Sequence, residues 1–328
     1  MILVTGGAGY IGSHVVKKLV EKDYPLAVID DLSTGHKAAL PPGIPFYPID
    51  LLEEKALNHT IEKLLPEAII HFAAKSIVPA SMKDPLGTFY PNLVGTMNLL
   101  KAMQKFGTRT IVFSSTAAVY GEPEKVPIEE SHPLQPTNPY GESKLFIEKI
   151  LSNTASAGNL SYISLRYFNA AGADPGGEIG EDHDPETHLI PLVLAAAKEK
   201  KELTVYGNDY PTVDGTPVRD YIHINDLVSA HILALEALLK GEKTGAAYNL
   251  GNQRGHSVLE VIKKAEEVTG KKIARHFGPR RMGDPSVLVA SSELIKKELN
   301  WKPYCSDLET IIETAWKWHQ GKPGGYPK

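Results

Sequence analysis

Thr5-Gly6-Gly7-Ala8-Gly9-Tyr10-Ile11-Gly12 is the stretch on which the reading of the fold turns. It follows a short apolar run, Ile2–Thr5, that reads as a strand, and it opens a segment, Tyr10–Lys22, that reads as a helix. Two overlapping patterns are present, G-x-G-x-x-G through Gly7, Gly9 and Gly12, and T-G-x-x-G-x-x-G through Gly6, Gly9 and Gly12. Glycines at these places permit a tight turn, let the backbone approach a pyrophosphate, and let the helix pack closely on the strand. The helix N-terminus then offers unpaired N–H groups and a positive dipole end to phosphates. Alone the motif is weak. The strand before it, the helix after it and an acid closing the next strand make it a dinucleotide site.

That acid is Asp30, with Asp31 beside it, 18 and 19 residues after Gly12 at the end of the run Leu26–Asp30. A carboxylate there accepts from the adenosine ribose hydroxyls and repels a 2′-phosphate. No arginine stands nearby to offset the repulsion, so the expected cofactor is NAD rather than NADP. Asp50, after Tyr47-Pro48-Ile49, reads equally as an adenine contact or as a helix N-cap.

Outward from the glycine loop, short apolar runs alternate with longer amphipathic segments. Ala68–Ala73, Thr110–Ser114 and Tyr162–Phe168 read as strands; Leu86–Lys105 and Asn138–Ser152 read as helices. Strands that are continuously apolar point to a parallel sheet covered on both faces. The expected class is α/β, a doubly wound parallel, Rossmann-like sheet with a smaller mixed α/β substrate domain. Residues 172–187 read as a loop rich in Gly, Pro, Asp and Glu. After it come helices at Leu189–Lys200, Asp226–Leu239, Val258–Thr269 and Leu308–His319, with strands at Leu203–Tyr206 and Val218–Ile222. The boundary is expected at 169/170, with 1–169 binding the cofactor and 170–328 mainly the substrate. Some of the later segments, about 218–250, are expected to pack back on the first domain.

Composition narrows the function. The chain has 328 residues, 35 Lys and Arg against 39 Asp and Glu, and a net charge of −4, which argues against a nucleic-acid binder. The basic run from Lys271 to Arg281 has no aromatic interleaving beyond Phe277, and reads as a solvated face with a diphosphate contact. One cysteine, Cys305, excludes an internal disulfide and a cysteine metal cluster. No targeting segment is visible, and the longest uncharged apolar stretch, Leu189–Ala197, is far short of the ~20 residues that span a bilayer. The expectation is a cytoplasmic, soluble protein with no membrane partner.

Tyr140-Gly141-Glu142-Ser143-Lys144 sets a phenol and an ammonium one helical turn apart on one face. A phenol of pKa about 10 is a poor base at neutral pH, and a neighbouring cation favours its ionised form. The run Phe113-Ser114-Ser115-Thr116 places hydroxyls at the carboxyl end of a strand, where ligands bind in such sheets. Thr116 is suited to a hydrogen bond with a substrate hydroxyl.

TGGAGYIGSH, SSTAAVYG, YGESK and RYFNAAGA (Arg166–Ala173) resemble the extended short-chain dehydrogenase/reductases. GEDHDPETHLIP (Gly180–Pro191), the stretch Tyr206–Leu227, YNLGN (Tyr248–Asn252) and PRRMGDP (Pro279–Pro285) are similar to one family among them, the UDP-glucose 4-epimerases. The resemblance covers nearly the whole chain. It implies an NAD-dependent isomerase of galactose metabolism that interconverts UDP-galactose and UDP-glucose through a 4-keto sugar. In such enzymes Tyr140 takes the 4-hydroxyl proton as hydride leaves C4, Thr116 bonds the 4-oxygen, and Lys144 holds the nicotinamide ribose. The resemblance also implies cofactor contacts at Gly6, Gly9, Tyr10, Ile11, Gly12, Asp30, Asp31, Asp50, Leu51, Phe72, Ala73, Ala74, Tyr140, Lys144 and Phe168. Substrate contacts follow at Thr116, Asn169, His188, Leu189, Val205, Tyr206, Arg219, Arg281 and Asp284, the two arginines on the diphosphate and Asp284 on the uridine ribose. A homodimer is implied, through the helices near 86–105 and 138–152.

The chain departs from the family in three places. The lysine many relatives carry near the nicotinamide is Ser76 here, with Lys75 one place early, so Lys75 is not assigned. Thr116 replaces the commoner serine. Leu288 stands where a pocket-lining residue is tyrosine in strict relatives and small in tolerant ones, so acceptance of UDP-N-acetylhexosamines is open. Ala117 and Ala118 replace the acid pair that dehydratases use. A different nucleotide-sugar epimerase, a free-standing dehydrogenase and a non-catalytic NAD-binding regulator are the other readings. Glu181, Asp182, His183, Asp184, Glu186 and His188 resemble a ligand cluster, but Pro185 interrupts any helix that would align them, and no metal is expected.

Overall fold

The structure, a computed structural model, describes residues 1–281 and 284–327. The chain opens with β1 (Ile2–Thr5), α1 (Tyr10–Glu21), β2 (Leu26–Ile29), β3 (Phe46–Tyr47), α2 (Glu54–Leu64) and β4 (Ala68–His71). Then come α3 (Val78–Lys83), α4 (Pro85–Phe106), β5 (Thr110–Ser114), α5 (Pro139–Ser156), β6 (Ser161–Tyr167) and β7 (Asn169–Ala171). Past the loop follow α6 (Leu189–Glu199), β8 (Leu203–Tyr206), β9 (Val218–His223), α7 (Ile224–Leu239) and β10 (Gly245–Leu250). The described chain closes with β11 (Gly255–Ser257), α8 (Val258–Thr269), β12 (Arg275–Gly278), β13 (Val287–Leu288), α9 (Glu293–Leu299) and α10 (Leu308–Gly321).

Contacts divide the chain into two compact units. One comprises Met1–Gly121, Pro133–Arg166 and Val228–Tyr248; the other comprises Glu122–His132, Tyr167–Leu227 and Asn249–Lys328. The first unit is built on a seven-stranded sheet of order β10-β6-β5-β4-β1-β2-β3. Strands β1 to β6 pair in parallel, Val4 lying beside both Val28 and Ile70. The order reverses between β1 and β4, which makes the end of β1 a topological switch point. Every residue of β1, β2 and β4 is buried, as both-face coverage demands. One face packs Leu3, Ile69, Ile111 and Phe113 against Leu57 and Ile61 of α2, Leu99 of α4 and Ile147 of α5.

Local chemistry sets the element ends. β2 stops at Ile29, one residue short of the expected end, because Asp30 turns its carboxylate back onto the N–H groups of Leu32 and Ala8. β4 stops at His71 rather than Ala73, because the N–H groups of Phe72 and Ala73 both donate to the Thr5 carbonyl. Helix α4 begins at Pro85 with Asp84 capping the Gly87 N–H at 2.9 Å. Residues 172–188 hold neither helix nor strand. Helices α2, α3 and α9 and strands β7 and β10 to β13 are absent from the sequence reading. Most are short, and α2 carries only three buried residues, Leu57, Thr60 and Ile61, too few for a clear apolar stripe.

The second unit has its own core, where Val193 and Leu194 of α6, Val261 and Ile262 of α8, and Ile311 and Ile312 of α10 meet Val205 and Tyr221. Its four-stranded sheet centres on β9, which pairs with β7, β11 and β13. A second, two-stranded sheet joins β8 and β12.

Two buried histidines each favour the fold less as pH falls. Burial, with the charge of Lys144 adding to it, holds His71 down to about 3, and burial holds His223 down to about 4 against opposing carboxylates. In the unfolded chain a histidine titrates near 6.5, so below that pH the unfolded state binds more protons and stability falls as pH falls. Each contributes a slope of up to about 1.4 kcal/mol per pH unit. In thermal melts the Tm of His71→Asn should rise relative to the wild type as pH falls from 7 to 5, and a Tm difference that does not change with pH contradicts the assignment.

Candidate functional site

The catalytic candidates sit where β5 gives way to a turn and α5 begins. Asn138 caps α5 by accepting from the Gly141 N–H at 2.8 Å, and Pro139 occupies the first turn. This fixes Tyr140 in the first turn of the helix and Lys144 one turn on. Gly141 is needed for close approach, since a Cβ there would come within 2.5 Å of the Ala118 carbonyl oxygen. The start of α5 is thereby held against the turn Ala117–Val119, whose N-cap is Thr116. Thr116 Oγ1 accepts from the Ala118 N–H at 3.1 Å, which leaves its own proton to be donated.

Lys144 is 2% exposed. Its Nζ donates to the Ser114 carbonyl at 2.8 Å, and lies 4.8 Å from the Phe113 ring centre and 5.9 Å from that of Tyr140. Burial pushes the ammonium down to about 7, and the Glu148 carboxylate pulls the other way. Glu148 is itself buried and paired with Arg166, at 2.6 Å from Nη2 to Oε2 and 3.0 Å from Nε to Oε1. Ser115 Oγ donates to the same carboxylate, and Arg166 Nη1 donates to the Tyr120 hydroxyl at 2.9 Å.

Asn92 of α4, which sequence reasoning missed, ties the segment at Lys75 and helix α5 to its own helix. Its amide donates to Ser143 Oγ at 3.0 Å and to the Lys75 carbonyl at 3.1 Å, and its oxygen accepts from the Lys75 N–H at 2.7 Å. Its only sequence signal is an amide on a buried helix face of α4. Lys75, left unassigned above, reaches Ser33 Oγ with its Nζ at 2.9 Å.

The glycine loop fits a dinucleotide. A Cβ on Gly6, at φ +72°, would lie 2.4 Å from the Ala73 nitrogen, and one on Gly12 would lie 2.2 Å from the Gly6 oxygen. A Cβ on Gly9 would meet nothing nearer than 3.4 Å, so that side of the loop stays open. No side chain caps α1 at Gly9, and its first turn carries no acid, so its N–H groups suit an anion. Asp30 Oδ2 accepts from the Ala8 N–H at 2.9 Å and Oδ1 from Leu32 at 2.8 Å. Burial raises the pKa of Asp30, and these two bonds oppose the rise. Asp31 is exposed and bonds only locally, to the Ser33 N–H at 2.9 Å. Gly35, also missed, brings its segment against the loop: His36 N–H donates to the Ala8 carbonyl at 2.9 Å.

Of the other expected cofactor positions, Phe72 and Ala73 lie against Gly6 of this loop. Tyr10 and Ile11 open α1, and Phe72 and Ala73 follow β4, with Ala74 next. Asp50 accepts from the Leu52 N–H at 2.9 Å, whereas the residue preceding α2 is Glu53, so Asp50 is not that helix's cap. Leu51 is buried against Gly95.

The expected substrate residues of the second unit are placed as follows. Asn169 opens β7 opposite Tyr221, just after the buried Phe168. His188 and Leu189 stand at the N-cap and first residue of α6. Val205 is 1% exposed and belongs to the core, so only its backbone can serve a ligand; Tyr206, next to it, is exposed. The Arg281 guanidinium lies 4.3 Å from the Tyr206 ring centre. Arg219 and Asp284, expected on different parts of a substrate, form an ion pair with each other. Leu288 is half-buried in β13, beside Arg219. Met282 and Gly283 of the PRRMGDP stretch lie outside the described residues.

Comparison with known proteins agrees with this geometry. Residues 2–251 match the model of the NAD dependent epimerase/dehydratase family. A UDP-glucose 4-epimerase of Lacticaseibacillus casei is 52% identical over 326 residues, covering 99% of this chain and 98% of its own. A crystal structure of UDP-glucose 4-epimerase superposes with a TM-score of 0.97 at 49% identity, over 100% of this chain and 99% of that one. The UDP-glucose 4-epimerase of Bifidobacterium longum, in complex with NAD+ and UDP, gives a TM-score of 0.94 at 36% identity, over 99% of both chains.

The anchoring of Asp30 separates the two neighbouring carboxylates. Asp30→Ala should strip most copurifying dinucleotide from the protein, as read by absorbance and mass spectrometry of the released cofactor, while Asp31→Ala loses much less. Equal retention in the Asp30 variant and the wild type contradicts the assignment.

Proposed function

The chain belongs to the NAD dependent epimerase/dehydratase family, and we propose that it interconverts UDP-galactose and UDP-glucose by inverting C4 through a 4-keto sugar. It is an NAD-dependent isomerase, with no net change of redox state. The observation that carries the reading is the buried ammonium of Lys144, one turn from Tyr140 at the carboxyl end of β5. NAD, when bound, supplies a hydride acceptor at C4 that later becomes the donor.

The chain's own groups do the rest. The backbone of Gly6, Gly9 and Gly12 with Tyr10 and Ile11 cradles the pyrophosphate, and Asp30 takes the adenosine ribose. Lys144 holds the nicotinamide ribose and favours the Tyr140 phenolate. Tyr140 Oη takes the proton of the sugar 4-hydroxyl and gives it back after inversion. Thr116 Oγ1 donates to the 4-oxygen. Arg219 and Arg281 hold the diphosphate, for which a planar guanidinium is suited, and Arg219 must exchange its bond to Asp284 for one to phosphate. Tight anchorage of UDP with loose anchorage of the hexose lets the ketone present its other face. In this reading residues 1–169 mainly bind the cofactor and residues 170–328 mainly the UDP-sugar.

The test is a proton NMR time course of the purified protein with UDP-galactose and no added cofactor. UDP-glucose signals should grow to a stable mixture. Silence before and after adding NAD overturns the proposal. Tyr140→Phe should lower turnover by about 10²–10⁴-fold while keeping its dinucleotide; wild-type turnover removes Tyr140 from the mechanism.

The enzyme works as a homodimer through α4 and α5. Along these helices Leu86, Tyr90, Met97 and Phe146 are exposed, and the Phe89 and Phe146 rings pack at 6.3 Å. Exposed apolar side chains on neighbouring helices suit an association face. Sedimentation should give a dimer at micromolar concentration and a monomer for Phe146→Glu; a wild-type monomer rejects the interface. We place the enzyme in the cytoplasm, where a chain with one cysteine and so no internal disulfide is at home. Among the described residues no helix is long and apolar enough to cross a membrane.

A further inference from the structure

The loop before α6 gathers four side chains, Glu181, His183, Glu186 and His188, of which only His188 has an expected part in the reaction, as a substrate contact. His183 Nδ1 lies 3.1 Å from Glu181 Oε1 and 3.8 Å from Glu186 Oε2. His188 Nδ1 lies 2.7 Å from Glu181 Oε1 and 3.1 Å from Glu186 Oε1. The four donor atoms all fall within 4.8 Å of one another. A tetrahedral zinc ion with nitrogen and oxygen ligands at about 2.0–2.2 Å sets its donors about 3.3–3.6 Å apart. The observed separations straddle that edge length, so modest outward shifts would seat an ion. Both imidazoles turn the same nitrogen inward, with ring centres 5.2 Å apart and planes at 49°. Both Nδ1 atoms thus face the same Glu181 carboxylate oxygen.

The ligands are held from behind, as metal sites require. Glu181 is 5% exposed, and its backbone carbonyl accepts from Trp318 Nε1 at 3.0 Å. The Tyr326 hydroxyl accepts from the Gly180 N–H at 3.1 Å, and Asp182 accepts from the Tyr326 N–H at 2.8 Å. Glu186 Oε1 is fixed by the N–H groups of Thr187 and His188 at 2.7 and 2.8 Å. The sequence reading set a metal aside because Pro185 breaks any helix there. The ligands are aligned by an anchored loop instead.

We propose that Glu181, His183, Glu186 and His188 form a closed binding site for one divalent cation of the zinc class. The donor set of two imidazoles and two carboxylates suits zinc rather than magnesium or calcium, which prefer oxygen throughout. Four protein ligands make the site structural. It pins the loop that delivers His188 and Leu189 to the start of α6. Without the ion the same box is a pair of imidazolium–carboxylate bridges.

The test uses the full chain, stripped with a chelator and titrated with Zn²⁺ by calorimetry and with Co²⁺ by visible absorption. One equivalent per chain should bind, and the cobalt form should show the intense bands of a tetrahedral site. His183→Ala and His188→Ala should each weaken binding by more than the about 10–100-fold that loss of an outer-shell partner costs. Circular dichroism checks that the variants are folded, and Glu186→Gln provides a milder change with the same expected direction. Absence of saturable binding at one equivalent, or binding undiminished in all three variants, overturns the proposal. Neither readout depends on epimerase turnover, so failure here leaves the proposed reaction standing.

Discussion

Keeping a charged Lys144 inside the protein is the constraint around which the first unit is arranged. An ammonium taken out of water costs several kcal/mol unless partners replace the lost hydration. The Ser114 carbonyl supplies one bond, the Phe113 ring face a favourable quadrupole, and Glu148 a compensating charge. Glu148 is buried too, and would be costly without Arg166 and Ser115. The support for a single side chain thus runs from β5 through α5 to β6.

The same arrangement turns a helix face into a tool. Asn138 and Pro139 set where α5 starts, Gly141 lets it approach the turn after β5, and Asn92 holds Ser143 from the far side. Tyr140 is therefore positioned by four independent restraints before any ligand arrives, the preorganisation that proton transfer needs. The switch point after β1 lies two strands away, where the glycine loop presents uncapped N–H groups. The glycine loop and the Tyr140–Lys144 pair thereby lie along the carboxyl edge of one sheet.

Much of this was legible in the chain alone, for physical reasons. A glycine loop, an acid after the second strand and a Tyr–Lys pair are local patterns whose residue types are dictated by backbone geometry or by acid–base chemistry. What escaped was set by tertiary contact. The amide of Asn92 acquires meaning only through Ser143 and Lys75, far away in sequence. The pairing of Arg219 with Asp284 joins residues 65 apart. The ends of β2 and β4 were misjudged by residues because side-chain and bifurcated backbone bonds, not apolar character, end them.

The account makes one central claim: the C4 hydrogen of the sugar leaves and returns within a single binding event, with Tyr140 moving the proton. Epimerisation of UDP-galactose carrying deuterium at C4, followed in ordinary water by NMR and mass spectrometry, tests it directly. The account predicts that the label stays at C4 of the UDP-glucose formed, without dilution by solvent hydrogen. Loss of the deuterium to water would contradict it, since inversion would then proceed by proton exchange at carbon rather than by a retained hydride.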